Sequence, residues 1–182
     1  MKPFLTVALS SLLLFSIPNS SALTIEQLRT APNLTPQNFS SLFSNFKFVF
    51  RGNVQTPAAF LSTESGDCDD FSTLAAAELA ARGYTPRLIA VRMKKEVHVI
   101  CYVNESGGYL DYNLRAKGGH VPCNPDLAQI ADSVSKSFKN APWTSVSEFT
   151  FSSGVKRLVT TTMPTDRLTA SSTSKSRNIS RN

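Results

Sequence analysis

The chain has 182 residues, of which 41% are hydrophobic, and a formal net charge of +6. This length favours one domain with a hydrophobic core. About half of the excess positive charge lies in residues 165–182, so the charge gives little support for a nucleic-acid partner, and we expect none.

Residues 1–22 have the layout of a secretory signal. Lys2 supplies a positive start, an apolar run of about 14 residues follows, and Ser20-Ser21-Ala22 provides the small residues that a signal peptidase requires. The run is shorter than the ~20 residues that span a bilayer as a helix, although an uncleaved anchor is the alternative. We therefore expect an exported protein, periplasmic or secreted, with no stable membrane insertion once the signal is removed.

The first part of the expected domain, residues 23–164, is predicted to be helical. Four apolar residues recur at steps of three and four, as on the buried face of a helix: Phe39, Leu42, Phe43 and Phe46. Thr56-Pro57 starts a second, short helix, since proline is tolerated at the first helical position. Residues 68–82 are rich in alanine and leucine and form the longest predicted helix, with Asp67 as its N-cap and Gly83 after its end.

Strands dominate the rest of the domain. Apolar, partly β-branched runs separated by turn residues predict three consecutive strands: 87–93, 96–103 and 109–113. A further amphipathic helix is predicted over 125–138, and a last hairpin pairs 147–151 with 155–162. Residues 165–182 are rich in serine, threonine, arginine and asparagine, and are predicted to be a disordered basic tail.

The three cysteines differ in their surroundings. Cys68 begins the longest predicted helix, where free backbone N–H groups and a partial positive charge favour thiolate, the nucleophilic form. An inert buried thiol is the alternative. Three cysteines in an exported chain are consistent with one disulfide and one free thiol. The disulfide would join Cys101 to Cys123, and Cys68 would be free. Cys101 and Cys123 equally suit small buried apolar positions.

A thiolate nucleophile needs a base that later protonates the leaving group, and this is usually histidine. His98 lies in a predicted strand, whereas His120 lies in a glycine-rich loop where nothing fixes its ring, so His98 is the better candidate. Asp111 lies in the next strand, and a hairpin centred near Ser106 brings it close to His98. There it can orient the imidazole. The alternatives are a hydrogen-bonded core histidine and an exposed carboxylate at a strand end.

These residues also carry a family resemblance. The run 66–71 reads Gly-Asp-Cys-Asp-Asp-Phe, the strand with His98 follows, and then Leu110-Asp111. This order resembles the transglutaminase-like superfamily, and looks closest to its bacterial cysteine proteinases. The run 54–57, Val-Gln-Thr-Pro, is similar to a segment of those proteins that reads Trp-Gln-Thr-Pro, so Val54 departs from the pattern.

The resemblance covers residues 55–113 and implies an α+β, papain-like fold, in which the nucleophile helix packs on an antiparallel sheet. It implies that Cys68 is the nucleophile, His98 the base and Asp111 the orienting group. Gln55 is an expected oxyanion donor, together with the backbone N–H of Cys68. A plain capping role for Gln55 is the alternative.

The carboxylates beside Cys68 oppose thiolate formation. Either hydrogen bonds at the helix start and basic neighbours hold Asp67, Asp69 and Asp70, or Ca²⁺ binds Asp67 and Asp69, as the resemblance suggests for some relatives. We expect that no cofactor is required. A zinc site at Cys68, His98 and Cys101 is disfavoured, because His98 and Cys101 face opposite sides of one strand.

The sequence thus predicts a monomeric, exported cysteine peptidase or amidase that acts on a protein or peptide through a thioester. Two alternatives stay open. The same three residues serve transamidation, in which an amine replaces water as the acceptor. A non-catalytic binding module on the same fold is the other.

Overall fold

The computed structural model describes residues 22–152 and 155–164. Nearly all of the predicted signal peptide, and the whole predicted tail, lie outside these residues. Within them, no helix combines the length and the apolarity that are needed to cross a bilayer.

Five α-helices are formed by the described chain: α1 (Ile25–Thr30), α2 (Pro36–Phe39), α3 (Pro57–Thr63), α4 (Cys68–Ala80) and α5 (Leu127–Ser137). The predicted short, longest and last helices correspond to α3, α4 and α5. The helix predicted around Phe39 begins earlier and tightens after α2 into a 3-10 turn, Ser40–Phe43. Pro36 at the first helical position favours this earlier start.

In the described ranges, eight strands form two sheets. The strands are β1 (Lys47–Phe48), β2 (Ser65–Gly66), β3 (Pro86–Met93), β4 (Val97–Val103), β5 (Gly108–Leu110), β6 (His120–Pro122), β7 (Trp143–Ser152) and β8 (Val155–Thr162). β1 and β2 form a small parallel pair. The other six form an antiparallel sheet in the order β6-β5-β4-β3-β7-β8. Helices and an antiparallel sheet confirm the predicted α+β class.

The region after β5 departs from the prediction at two positions. The predicted third strand ends at Leu110, and Asp111 instead starts a 3-10 turn, Tyr112–Lys117. His120, predicted in a loop, begins β6 and pairs with Leu110. Its ring nitrogen Nε2 lies 3.1 Å from Ser106 Oγ, so its ring is fixed after all. The physical reason is a reversal at Gly118 and Gly119, whose φ angles of 97° and 66° turn the chain back onto β5.

The large sheet is covered by one long helix on each face. Along β4, Val99 and Cys101 point to the α4 side, while Ile100 and Tyr102 point to the α5 side, as the period of a strand dictates. Ser72 of α4 also donates its hydroxyl to the Val99 carbonyl at 3.1 Å. α4 is thereby fixed directly over β4, the central strand of the candidate site.

An aromatic cluster fastens the N-terminal segment to α4. Its members are Phe39, Phe43, Phe46, Phe60, Phe71 and Tyr112, and neighbouring ring centroids lie 5.0–6.0 Å apart. Phe43 stacks on Phe39 and Phe60 and meets Phe71 of α4 edge-on. Since Phe71 lies one turn after Cys68, this cluster fixes the start of α4.

The suggested Cys101–Cys123 disulfide is absent, because all three cysteines are free. Cys101 is fully buried on the α4 side of the sheet, whereas Cys123 packs against the cluster on the α5 side. A sheet separates the two thiols. The alternative, a small apolar core position, holds for Cys101.

Cysteine labelling in the native protein should be selective. Burial raises the pKa of the Cys101 thiol to about 12, so iodoacetamide should label Cys68 and leave Cys101 unmodified until the protein is unfolded. Peptide mapping by mass spectrometry checks this, and the unreduced intact mass should be that of a chain with three thiols. Rapid native labelling of Cys101, or a disulfide mass, would contradict the burial described here.

Candidate active site

Cys68 is the first residue of α4, and Asp67 occupies the N-cap position, as predicted. The thiol is half-buried, and the backbone N–H of Val99 donates to its Sγ at 3.5 Å. A 13-residue helix presents unpaired N–H groups and a partial positive charge at this end. Both the helix end and the Val99 donor stabilise a negative charge on sulfur.

His98 and Asp111 form a buried pair beside this thiol. Asp111 Oδ1 accepts a hydrogen bond from His98 Nε2 at 2.9 Å, and the two residues are 3% and 0% exposed. The pairing of β4 with β5 ends at Cys101–Leu110. Asp111 is the next residue, and its side chain therefore lies on the same face of the sheet as that of His98. The backbone N–H of Asn113 donates to the same oxygen at 2.8 Å and holds the carboxylate in place.

The imidazole lies between two groups that favour its charged form. Burial alone would lower the pKa of His98, but the hydrogen bond to Asp111, followed by that to Cys68, outweighs it and raises the pKa to about 10. Because Nε2 is bound to Asp111, Nδ1 is the nitrogen available to Cys68. The three residues singled out from the sequence are therefore together in one site.

Phe138 is a site residue that sequence reasoning placed only on the apolar face of a helix. It follows the last residue of α5, and its ring centroid lies 4.9 Å from that of His98. The phenyl ring excludes water from one side of the imidazole. Only the position of α5 on the sheet brings these two rings together, so the sequence carried no signal for this contact.

The Gln55 side chain is hydrogen-bonded to the chain on both sides of Cys68. Its side-chain Nε2 donates to the Ser65 carbonyl at 2.9 Å and to Asp70 Oδ2 at 2.8 Å, and its backbone N–H donates to Asp70 Oδ1 at 2.6 Å. Both amide hydrogens are therefore engaged, one with Ser65 before Cys68 and the other with Asp70 in the first turn of α4. An oxyanion role for this side chain stays a prediction, and it would require these hydrogen bonds to be released.

Two of the carboxylates around Cys68, those of Asp67 and Asp70, are held by N–H groups rather than by basic side chains. Asp67 Oδ2 accepts from the Arg51 backbone at 2.8 Å, and Asp70 Oδ2 accepts from the Asp67 backbone at 3.1 Å. Within the described residues none of the three aspartates is in an ion pair. Burial, and then the hydrogen bond and charge of Asp67, raise the pKa of Asp69 to about 7.

Asp67 and Asp69 are the ligands of the alternative calcium site. One oxygen of each and Cys68 Sγ lie within 4.8 Å of one another, and Asp67 Oδ1 is buried without a hydrogen-bond partner in the described part of the chain. Ca²⁺ takes six to eight oxygen ligands, whereas this group offers two carboxylates and a sulfur. These donors fill only part of a calcium coordination shell, and water would supply the remaining ligands of a bound ion.

Gly66 permits the tight approach of the chain to α4. A Cβ atom at this position would collide with Asp70 Oδ2 and lie 2.7 Å from the ring of Phe60 and 2.8 Å from Gln55 Nε2. We expect Gly66→Ala to lower the free energy of unfolding by about 1–3 kcal/mol, through overpacking, and to slow alkylation of Cys68. Urea denaturation and the iodoacetamide rate measure the two effects.

Gly52→Ala is the matched control for this substitution, since a Cβ there meets no atom within 4 Å. It should leave both quantities near the wild-type values. An unchanged urea midpoint in Gly66→Ala would show that the segment can move aside, contrary to the packing described.

A cleft of about 590 Å³ opens onto Cys68 and His98. One wall is the segment that contains Phe48, Phe50 and Arg51, and another is the hairpin between β3 and β4. The thiol is therefore reachable from solvent, whereas His98 is almost fully buried at the cleft wall and Asp111 is fully buried.

The fold and the site together define a papain-like α+β protein with a cysteine-centred site. The thiol lies at the start of a helix, the histidine lies in the antiparallel sheet, and the carboxylate follows the next strand. Residues 25–115 match the model of the family described as transglutaminase-like domain, and this match spans half of the chain. The chain therefore belongs to the transglutaminase-like family, which generally includes cysteine-dependent enzymes. No curated protein matches it.

Proposed function

We propose that this protein is an exported cysteine-dependent amidase or peptidase that acts through a thioester intermediate. The observation that carries the proposal is the position of His98, whose ring is bound to buried Asp111 at 2.9 Å and adjoins Cys68 on its other side. This is the relation of nucleophile, base and orienting group that acyl transfer requires.

The proposed reaction has two halves. The Cys68 thiolate attacks the carbonyl carbon of an amide, the C–N bond breaks, and the His98 imidazolium gives its proton to the departing amine. His98 then takes a proton from water, whose oxygen attacks the thioester; the C–S bond breaks, the carboxylic acid is released and the Cys68 thiolate is restored beside the His98 imidazolium. Asp111 keeps the ring oriented and stabilises its charged form throughout.

The negative oxygen of the tetrahedral intermediate needs hydrogen-bond donors. The backbone N–H of Cys68, at the first position of α4, has no partner within the helix and is the donor we propose. Gln55 can serve as a second donor only if its side chain leaves Ser65 and Asp70. No cofactor is required by this scheme.

Transamidation uses the same first half-reaction, with an amine in place of water. A non-catalytic binding module is disfavoured by one observation. A buried, hydrogen-bonded His98–Asp111 pair costs desolvation energy and is of no use to a protein that only binds.

The proposal of export rests on residues 1–22 alone. The proposed substrate is a protein or peptide outside the cytoplasm, and the proposed enzyme is a monomer.

Fluorescently labelled casein tests the proposal, with and without a fluorescent primary amine. Release of small labelled peptides indicates hydrolysis, and amine incorporation into casein indicates transamidation. Cys68→Ala should abolish either signal, while Cys123→Ala should retain it. If neither signal appears, and His98→Ala leaves the pH dependence of Cys68 alkylation unchanged, the binding module is the correct function.

Calcium at Asp67 and Asp69 is a secondary proposal. Added Ca²⁺ should raise the melting temperature of the wild-type protein relative to EDTA-treated protein, and Asp69→Asn should remove this difference. An equal melting temperature in Ca²⁺ and EDTA would reject the ion.

A further inference from the structure

Basic side chains surround the mouth of the cleft. Three come from the end of β3 and its hairpin, one from the segment after β1 and one from β8: Arg92, Lys94, Lys95, Arg51 and Lys156. All five are exposed. None forms an ion pair within residues 22–152 and 155–164, so their charges are available to a ligand.

The negative charges that line the same cleft are fewer and less accessible. Asp67 is 2% exposed and already accepts a backbone hydrogen bond, and Asp69 is half-buried beside it. Glu96 is the exposed carboxylate of the lining, between Lys95 and the start of β4. A ligand that lies across the mouth therefore meets mainly cations.

The five cations bracket Cys68 from different elements. Lys156 extends over the ring of Phe149, with its Nζ 3.8 Å from the centroid, and Phe149 belongs to the cluster against which Cys68 packs. Arg51 follows Phe50, whose side chain is 81% exposed, and among the residues that the structure describes its guanidinium makes only a long 3.5 Å contact to Ser65. The chain thus offers positive charge on several sides of the thiol and an aromatic surface beside it.

We propose that this rim makes the cleft selective for acidic polypeptide segments, whose carboxylates bind the rim cations while an amide carbonyl between them reaches Cys68. The inference rests on the proposed function, since it names the substrate class of the same site. Polypeptide is favoured over nucleic acid because the cations surround a thiol suited to attack carbonyl carbon, and because exposed Phe48 and Phe50 fit apolar side chains.

Protection of Cys68 from alkylation tests the rim without any need for catalysis. The probes are a capped octapeptide of alternating glutamate and alanine, its glutamine and lysine analogues, and an oligouridylate of similar length. The glutamate peptide should slow iodoacetamide labelling of Cys68 at concentrations at which the glutamine and lysine peptides have no effect. Protection should be lost at about 1 M salt, where charges are screened beyond ~3 Å.

Charge removal provides the second arm. Lys94→Gln/Lys95→Gln should weaken protection by the glutamate peptide roughly fivefold, and should slow anionic iodoacetate relative to neutral iodoacetamide. The control is Lys117→Gln/Lys136→Gln, which removes the same charge away from the cleft and should change neither quantity.

Three results would overturn the inference: equal protection by all three peptides, an unchanged response in Lys94→Gln/Lys95→Gln, or better protection by the oligouridylate. These results are independent of the casein assay, because any accessible thiol is alkylated. A protein inactive on casein can still show acidic-peptide protection, and an active enzyme can lack it.

Discussion

Asp111→Asn should slow the alkylation of Cys68 at pH 6.5 by about 10- to 100-fold. Asparagine at this position can still meet His98 Nε2, but it carries no charge to stabilise the imidazolium, and its amide hydrogens favour the wrong tautomer of the ring. Acyl transfer should fall further, by about 10³- to 10⁴-fold, because the misoriented histidine also fails as the acid for the leaving amine. Iodoacetamide rates measured from pH 5 to 10 give the first value, and turnover of whichever substrate the casein assay identifies gives the second.

The pH dependence follows from the direction of the His98 shift. A pKa raised from 6.5 to about 10 in the folded state stabilises the protein fully below about pH 6.5. This contribution is lost as the pH rises through about 10. The wild-type melting temperature should therefore fall between pH 7 and 10 more steeply than that of Asp111→Asn, in which the pair is uncharged.

Asp126→Asn is the control, since Asp126 is the N-cap of α5 and asparagine caps equally well. It should keep the wild-type alkylation profile. If Asp111→Asn alkylates as fast as the wild type at pH 6.5, while near-ultraviolet circular dichroism shows it folded, Asp111 has no part in activating the thiol.

Phe43→Ala should lower the free energy of unfolding by about 3–5 kcal/mol, the usual cost of deleting a buried aromatic ring. Phe43 is 0% exposed and its ring contacts those of Phe39, Phe46, Phe60 and Phe71. The cavity left behind would lie where the N-terminal segment meets α4. Urea denaturation followed by circular dichroism measures the change.

Leu42 is the matched control, because it precedes Phe43 in the same turn and is 41% exposed. Leu42→Ala should cost no more than about 0.5 kcal/mol. Similar losses in both variants would mean that the cluster is not the packed core described above.

The parts of the fold that were predictable are those encoded locally. The alanine- and leucine-rich composition of residues 68–82, ended by Gly83, was sufficient for α4. Apolar, partly β-branched runs with turn residues between them were sufficient for β3, β4 and their hairpin. Since hairpin register follows from the turn, the approach of Asp111 to His98 was predictable from the sequence.

The parts that were missed depend on contacts between distant segments. β6 has three residues and exists because it pairs with β5, and β1 pairs in parallel with β2 across α3. Nothing in the residues 120–122 themselves distinguishes an edge strand from a loop. The same holds for Cys101 and Cys123, which could be assigned to opposite faces of the sheet only after both helices were placed.

The first described residues also constrain how the protein can be produced. Leu23 packs against the core, and Thr24 caps α1 through reciprocal hydrogen bonds with Gln27 at 2.8 and 3.2 Å. A cut after Ala22 would set a new ammonium group next to the positive end of that helix, with no spacer between it and the packed chain. A longer deletion would remove the cap. Recombinant versions should carry their tags beyond residue 164.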